Sequence, residues 1–237
     1  MSGHEPIDYS RLHIIVVAAG VGARFGAAMP KQFQPLGGRP LLMTTITRLR
    51  ETAPSAQLTL VLSREMEELW RELCVKHSFV SPPLAYGGAS RAESVSNALE
   101  AVSAEVQMVA VHDGVRPFVT PEMLDEAVKA VMEGADGAIP VVPVTDSLRL
   151  LGTDGTSVPV DRSNYRAVQT PQVFRADRLI AAYARGVRPE FTDDASVMAA
   201  AGFTDIRLTT GSPYNIKLTN PLDLIILEAL ASRGVSC

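Results

Sequence analysis

His13-Ile14-Ile15-Val16-Val17-Ala18 runs directly into Ala19-Gly20-Val21-Gly22-Ala23-Arg24-Phe25-Gly26. The apolar, β-branched run suits a strand covered on both faces, as in a parallel sheet. Glycines just past the carboxyl end of such a strand let backbone N–H groups approach an anionic ligand. The same rhythm recurs downstream. Leu58-Thr59-Leu60-Val61-Leu62, Gln107-Met108-Val109-Ala110-Val111-His112 and Gly137-Ala138-Ile139-Pro140-Val141-Val142 read as buried strands. Amphipathic stretches near 40–50, 65–77, 91–102 and 121–133 lie between them. Thr120-Pro121-Glu122 is a helix start, with an N-cap Thr, Pro in the first turn and an acid behind it. This alternation predicts right-handed crossovers and an α/β fold with a doubly wound, mostly parallel sheet.

The stretch 143–170 breaks the rhythm. Pro143, Gly152, Gly155 and Pro159 fall within it and Pro171 follows, with alternating segments flanking Gly152-Thr153-Asp154-Gly155. It reads as a protruding β-hairpin arm, which buries little by itself and calls for a partner chain to cover it. Helices near 175–185 and 194–201, a strand near 205–209 and a helix started by Asn220-Pro221 complete the chain. The expectation is one domain over 1–237 with an arm at about 143–170.

Composition bounds the function. The 237 residues are 46% hydrophobic and 20% charged, with a net charge of -4, so a basic nucleic-acid coat is disfavoured while a local basic pocket is not. Cys74 and Cys237 form no CxxC pair, which argues against a zinc site or a disulfide framework. The apolar run at 12–19 is short and ends in glycines, so it reads as a strand rather than a signal peptide or membrane span. A cytoplasmic enzyme is the expectation.

Two familiar loops are excluded at the first strand. The dinucleotide fingerprint needs Gly at the position of Phe25 and an acid about 20 residues on, yet 21–50 holds no Asp or Glu. The phosphate-binding P-loop ends in Gly-Lys-Ser/Thr, which is missing. What 21–50 does contain is Arg24, Lys31, Arg39, Arg48 and Arg50. Fixed cations and N–H dipoles stabilise charge gathering on a phosphorus under attack. Arg24 and Lys31, nearest Gly20 and Gly22, are the candidates. Arg48 and Arg50 read as solvated helix charges, and the glycines alone would also serve a tight strand–helix turn.

Other polar clusters keep two readings each. Asp113, in His112-Asp113-Gly114-Val115-Arg116-Pro117, can hold Mg2+ at the end of an interior strand or cap a turn. His112 reads as structural. Gly87-Gly88-Ala89-Ser90-Arg91-Ala92-Glu93-Ser94 can pass Gly88 under a base with Ser94 bonded to it, or form a helix start capped by Ser90 and Glu93. Arg162 suits bidentate phosphate binding or solvation of the arm. Lys217, in Asn215-Ile216-Lys217, is open, and Thr192-Asp193-Asp194 looks first like a helix cap. No Ser/His/Asp or Cys/His nucleophile set is present, which fits a reaction whose nucleophile is an already ionised substrate phosphate.

Ala18-Ala19-Gly20-x-Gly-x-Arg24 with Pro30-Lys31-Gln32 resembles the signature of sugar-phosphate nucleotidyltransferases. Adding His112-Asp113-x-x-Arg116-Pro117, Asp161-Arg162, Gln169-Thr170-Pro171-Gln172, Thr192-Asp193-Asp194-Ala195-Ser196 and Asn215-Ile216-Lys217, the chain resembles the 2-C-methyl-D-erythritol 4-phosphate cytidylyltransferase family over about 12–231. The resemblance implies a Rossmann-like nucleotidyltransferase fold, CTP and a polyol phosphate as substrates, and Mg2+. It implies that Arg24 and Lys31 stabilise the transition state and that Arg162 and Lys217 position the polyol phosphate. Asp113, Arg116, Ser147 and Thr192 would line that substrate's pocket, and Ala18, Ala19, Gly20, Gly22, Gly88 and Ser94 would hold the nucleotide. It also implies a homodimer with crossed arms, so that Ser147 and Arg162 act in the neighbour's site, with no role for nucleic acid or membrane.

The chain departs from the pattern at Gly114-Val115, where Ala-Ala is usual, at Ser147, where Thr is common, and at Ala89, where an Asp would contact the ribose. Ribitol 5-phosphate cytidylyltransferase is the alternative within the class, favoured by Val115 and disfavoured by 161–172. A silent nucleotide-binding module and a NAD-linked dehydrogenase are the alternatives outside it.

Overall fold

The computed structural model describes residues 7–20 and 29–234. The first half of the chain runs β1 (Leu12–Val17), β2 (Pro35–Leu36), β3 (Arg39–Pro40), α1 (Leu41–Thr52), β4 (Gln57–Leu62), α2 (Glu67–Lys76), β5 (Leu84–Tyr86) and α3 (Arg91–Leu99). It continues with β6 (Met108–Asp113), α4 (Pro121–Met132), β7 (Gly137–Pro143), β8 (Leu148–Leu151), β9 (Ser157–Val160), β10 (Arg166–Val168) and β11 (Gln172–Arg175). Helices α5 (Ala176–Tyr183) and α6 (Asp194–Ala200), strand β12 (Ile206–Thr210) and helix α7 (Pro221–Ser232) follow.

Eight strands form the main sheet in the order β10-β7-β11-β6-β1-β4-β5, with β12 on β7. The β6-β1-β4-β5 half is parallel throughout. On the other side β11 runs antiparallel between β6 and β7, and β10 is antiparallel to β7. The sheet is therefore mostly parallel, as expected, but the strands at 84–86 and 172–175 were not anticipated. Both are too short to show an apolar period of their own; β11 is set by the neighbours that accept its pairing.

The alternation of β1 explains the two layers. Ile14 and Val16 join Met43, Ile46, Trp70, Leu124 and Val128 beneath α1, α2 and α4. Ile15 faces the opposite way, among Val95, Ala98, Leu179 and Met198 of α3, α5 and α6. Both faces of β1 are buried, which is why its sequence is an almost unbroken apolar run.

The helix signals hold. Thr120 caps α4 by accepting from the Met123 N–H at 3.3 Å. Asn220 and Asp223 form a reciprocal capping box at the start of α7, as Asp193 and Ser196 do at α6. Among the described residues, strands β8 and β9 pair only with each other, and Gly155 takes φ +82° in the turn that joins them. Within 143–170 a hairpin spans β8 and β9, and residues 166–168 return to the main sheet beside β7. Leu150, Leu151 and Val158 remain exposed on the hairpin.

Candidate active site

A cleft of about 710 Å3 opens at the carboxyl ends of β1, β4, β5 and β6. It gathers Ala18, Ala19, Gly20, Lys31, Gly88, Ser94, Asp113 and Lys217 on one wall system. Arg24 and Gly22 lie outside the described residues.

Lys31 is placed by packing as much as by its loop. It opens a short 3-10 turn, Lys31–Phe33. Phe33 is stacked on the fully buried Trp70 at 5.9 Å, and Phe79 meets that indole edge-on at 5.7 Å. Each aromatic pair adds about 0.5–1.5 kcal/mol beyond burial. Between them Gln32 is buried and donates through Nε2 to the Ala18 carbonyl at 2.8 Å and the Gly20 carbonyl at 3.3 Å. The end of β1 and the turn that carries Lys31 are therefore tied together. The other cations of 21–50 that are described point elsewhere: Arg39 donates to Thr44, Arg48 pairs with Glu51, and Arg50 covers the Phe79 ring.

Gly87 and Gly88, which also line the cleft, lie against the end of β1. A Cβ on Gly87 would lie 2.4 Å from the Ala19 Cβ, so glycine is required for β1 and this loop to approach. Ser90 caps α3 by accepting from Glu93 N–H at 3.0 Å, while the Glu93 carboxylate reaches back to Ala89 N–H at 2.7 Å. Ser94 accepts from Gly88 N–H and donates to the Ser90 carbonyl, so its hydroxyl shapes this wall from within.

Asp113 is the electrostatic centre. Its carboxylate is buried and meets Lys217 Nζ at 3.0 Å, Arg116 Nε at 3.1 Å and Arg91 Nε at 3.6 Å. Burial alone would raise its pKa, but Lys217, Arg91 and Arg116 hold it well below the usual carboxylate range. Arg116 also donates to the Asn215 carbonyl at 2.7 Å, which leaves Lys217 as the cation of the three that is most exposed to the cleft. A carboxylate that already serves three cations does not fit a dication, so Mg2+ directly on Asp113 is not supported. Among the described residues no group of three His, Cys, Asp or Glu side chains could hold a metal.

His112 has a structural part in this centre. Its Nε2–H donates to the Arg116 carbonyl at 3.0 Å and its Nδ1 accepts from the Thr170 hydroxyl at 3.1 Å. Thr170 in turn accepts from Asp113 N–H at 3.0 Å. Burial lowers the His112 pKa to about 4, so the ring is neutral. The segment Gln169-Thr170-Pro171-Gln172 fastens the loop before α7 and the start of α6. Gln169 exchanges bonds with the Ser212 backbone, Asn215 Nδ2 donates to the Thr170 carbonyl, and Gln172 Oε1 accepts from Asp194 and Ala195 N–H.

Not every expected residue meets in this cleft. Ser147, Arg162 and Thr192 are exposed and lie outside its lining, and the Arg162 guanidinium donates to the Thr145 carbonyl at the base of the hairpin. Sequence reasoning missed Arg91, which lines the cleft and pairs with Asp194 as well as Asp113. It sits at the first position of a helix, where a cation opposes the macrodipole, and that anomaly was the available signal. Val115 packs with Leu36, Leu41, Phe118, Leu218 and Leu227 and also lines the cleft. At Gly114 a Cβ would come within 2.9 Å of Leu42 and 3.0 Å of Ala18, which accounts for glycine there.

Comparison with known proteins is consistent across sequence and fold. Residues 12–233 match the family model of 2-C-methyl-D-erythritol 4-phosphate cytidylyltransferase. The protein of that name from Bacteroides thetaiotaomicron is 46% identical over 218 residues, covering 92% of this chain and 98% of that protein. The crystal structure of the protein of the same name from Thermus thermophilus superposes with a TM-score of 0.74 at 32% identity, covering 92% of this chain and 98% of the other. A 4-diphosphocytidyl-2C-methyl-D-erythritol synthase from Anaerococcus prevotii shares the fold with a TM-score of 0.78 at 23% identity, over 94% of this chain and 98% of that one.

Proposed function

The chain belongs to the 2-C-methyl-D-erythritol 4-phosphate cytidylyltransferase family, and from that membership we propose how its cleft transfers a cytidylyl group. The reaction joins CTP to 2-C-methyl-D-erythritol 4-phosphate and yields 4-diphosphocytidyl-2-C-methyl-D-erythritol and pyrophosphate, a step of the non-mevalonate isoprenoid pathway. A phosphate oxygen of the polyol attacks the α-phosphorus in line. The new P–O–P bond forms as the bond to the β-phosphate breaks, and pyrophosphate leaves. The nucleophile is already ionised, so no general base is needed, and the enzyme acts by positioning and by charge stabilisation.

The observation that carries this reading is the cleft itself, which gathers Lys31, the Gly87–Gly88 wall and Lys217 on its Asp113 anchor around one cavity. Lys31, with Arg24, neutralises charge on the phosphorus under attack. Ala18, Ala19, Gly20, Gly22, Gly88 and the loop that Ser94 shapes receive the nucleotide. Lys217 and Arg162 hold the polyol phosphate in a pocket edged by Asp113, Arg116, Ser147 and Thr192.

The exposure of Ser147 and Arg162 outside the cleft supports a homodimer in which each hairpin reaches the neighbour's site. A divalent cation enters as the companion of the triphosphate, since the Asp113 carboxylate is already taken up by three cations. The cytoplasm is the proposed location, on the strength of the family reading. Among the described residues no helix is long and apolar enough to cross a membrane. The test is direct: CDP-alcohol and pyrophosphate formation from CTP, measured with 2-C-methyl-D-erythritol 4-phosphate and with ribitol 5-phosphate. Faster turnover of the methylerythritol phosphate is expected, and the reverse order would overturn the substrate assignment.

A further inference from the structure

We propose that Arg91 is a positioning residue that locks the two sides of the polyol-phosphate pocket into one register, with Asp194 and Tyr183 as its anchor. Arg91 opens α3 directly behind the Gly87–Gly88 wall. Its Nη2 lies 2.8 Å from Asp194 Oδ2 and its Nε 3.6 Å from Asp113 Oδ1. One guanidinium therefore spans the Asp113 loop and the start of α6, the segment that follows Thr192. A planar fork can bridge two carboxylates in this way, whereas a lysine ammonium is a single point charge.

Asp194 is fully buried, accepts from the Tyr183 hydroxyl at 2.6 Å, and has its own N–H held by Gln172 Oε1 at 3.2 Å. The helix does not need this carboxylate as a cap, because Asp193 already performs that task with Ser196. A buried ion pair is also a weak source of net stability, since desolvation offsets most of the attraction. What the Arg91–Asp194 pair supplies is a fixed distance between the Asp113 loop and the start of α6. Misplacing a reacting group by about an ångström can cost on the order of a hundredfold in rate, which gives such a lock functional value.

This inference rests on the cytidylyl-transfer reading, and the experiment separates the two. Turnover of CTP with 2-C-methyl-D-erythritol 4-phosphate is measured first on the unaltered enzyme; its absence would sink the functional reading. Initial rates of Arg91→Lys and Tyr183→Phe are then taken with each substrate varied against saturating amounts of the other. Arg91→Lys is expected to raise KM for the polyol phosphate about tenfold or more and leave KM for CTP within about twofold. Tyr183→Phe, which keeps Arg91 and removes only one hydroxyl, is expected to shift the same constant in the same direction by a smaller factor. Equal changes in both KM values, or none in either variant, would overturn the proposal. Should Arg91→Lys fail to fold, the split shown by Tyr183→Phe decides.

Discussion

Lys217 and Asp113 form an ion pair of 3.0 Å that joins the loop before α7 to the end of β6. Because Arg116 and Arg91 meet the same carboxylate, one buried negative charge organises three cations beside the cleft. Asp113→Asn removes that charge and leaves the cations facing one another. Breaking a buried pair in this way is expected to destabilise the fold by about 3–5 kcal/mol, read by urea unfolding at neutral pH. The folded pKa lies below the unfolded one, so the Asp113 contribution is fully present above about pH 4 and is lost as pH falls through the folded value. The gap between the two proteins should therefore narrow only in strong acid.

His112 gives an earlier acid limb. Its folded pKa of about 4 lies below the unfolded value near 6.5, so between those values the unfolded chain binds the extra proton. Stability should fall by roughly 3 kcal/mol as pH drops from 6.5 to 4. His112→Gln keeps a donor for the Arg116 carbonyl and an acceptor for Thr170 but cannot titrate. Thermal midpoints of that variant should lose the slope between pH 6.5 and 4; an unchanged slope would assign it to other groups.

Gly87→Ala tests the nucleotide wall. The added methyl would sit 2.4 Å from the Ala19 Cβ and 3.0 Å from Ser94 Oγ. Overpacking of this kind costs about 1–3 kcal/mol, and the available relief is to move Ala19 or the Gly88 loop. KM for CTP should rise about tenfold while KM for the polyol phosphate stays within about twofold. An unchanged KM for CTP would remove this wall from the nucleotide site.

The parallel half of the fold was legible because β1, β4 and β6 are largely buried and each carries a long apolar run. Strands β5 and β11 were not, since three or four residues carry no period and β11 gains its place from Val111 and Ala138 across the sheet. In the site, Lys31 and Asp113 could be found because each follows or ends a readable strand. Arg91 left only the anomaly of a cation at the first position of α3, because its partner Asp194 is 103 residues away and only the folded chain brings the two together. The hairpin was visible from its turn chemistry, but its limits were not: 166–168 pairs with β7 through backbone groups that side-chain pattern does not reveal.

Lys31→Ala should act on turnover. The turn that carries Lys31 is held by the Phe33–Trp70 stack and by Gln32, so truncating the side chain leaves its support intact. Losing one fixed donor to a developing oxyanion lowers kcat by about 10²–10³. KM for CTP should change far less. A kcat within about twofold of the parent enzyme would reassign the charge-stabilising role to other groups.

Arg162 supplies the test of the crossed arms. It lies outside the cleft that contains Lys31, and the crossed-arm proposal has a site take Arg162 from the neighbouring hairpin. Arg162→Ala is then expected to raise KM for the polyol phosphate with little change in KM for CTP. Subunits carrying Lys31→Ala and subunits carrying Arg162→Ala, each nearly inactive alone when the polyol phosphate is limiting, can be mixed after dissociation. In a heterodimer one site combines both substitutions, and the other draws an intact Lys31 from one chain and an intact Arg162 from its partner. Random reassociation makes about half of the dimers mixed, so roughly a quarter of the parental activity should return. If Arg162 instead served its own chain's cleft, every site in the mixture would carry one substitution. Activity would then stay at the level of the separate variants even where heterodimers are shown to form.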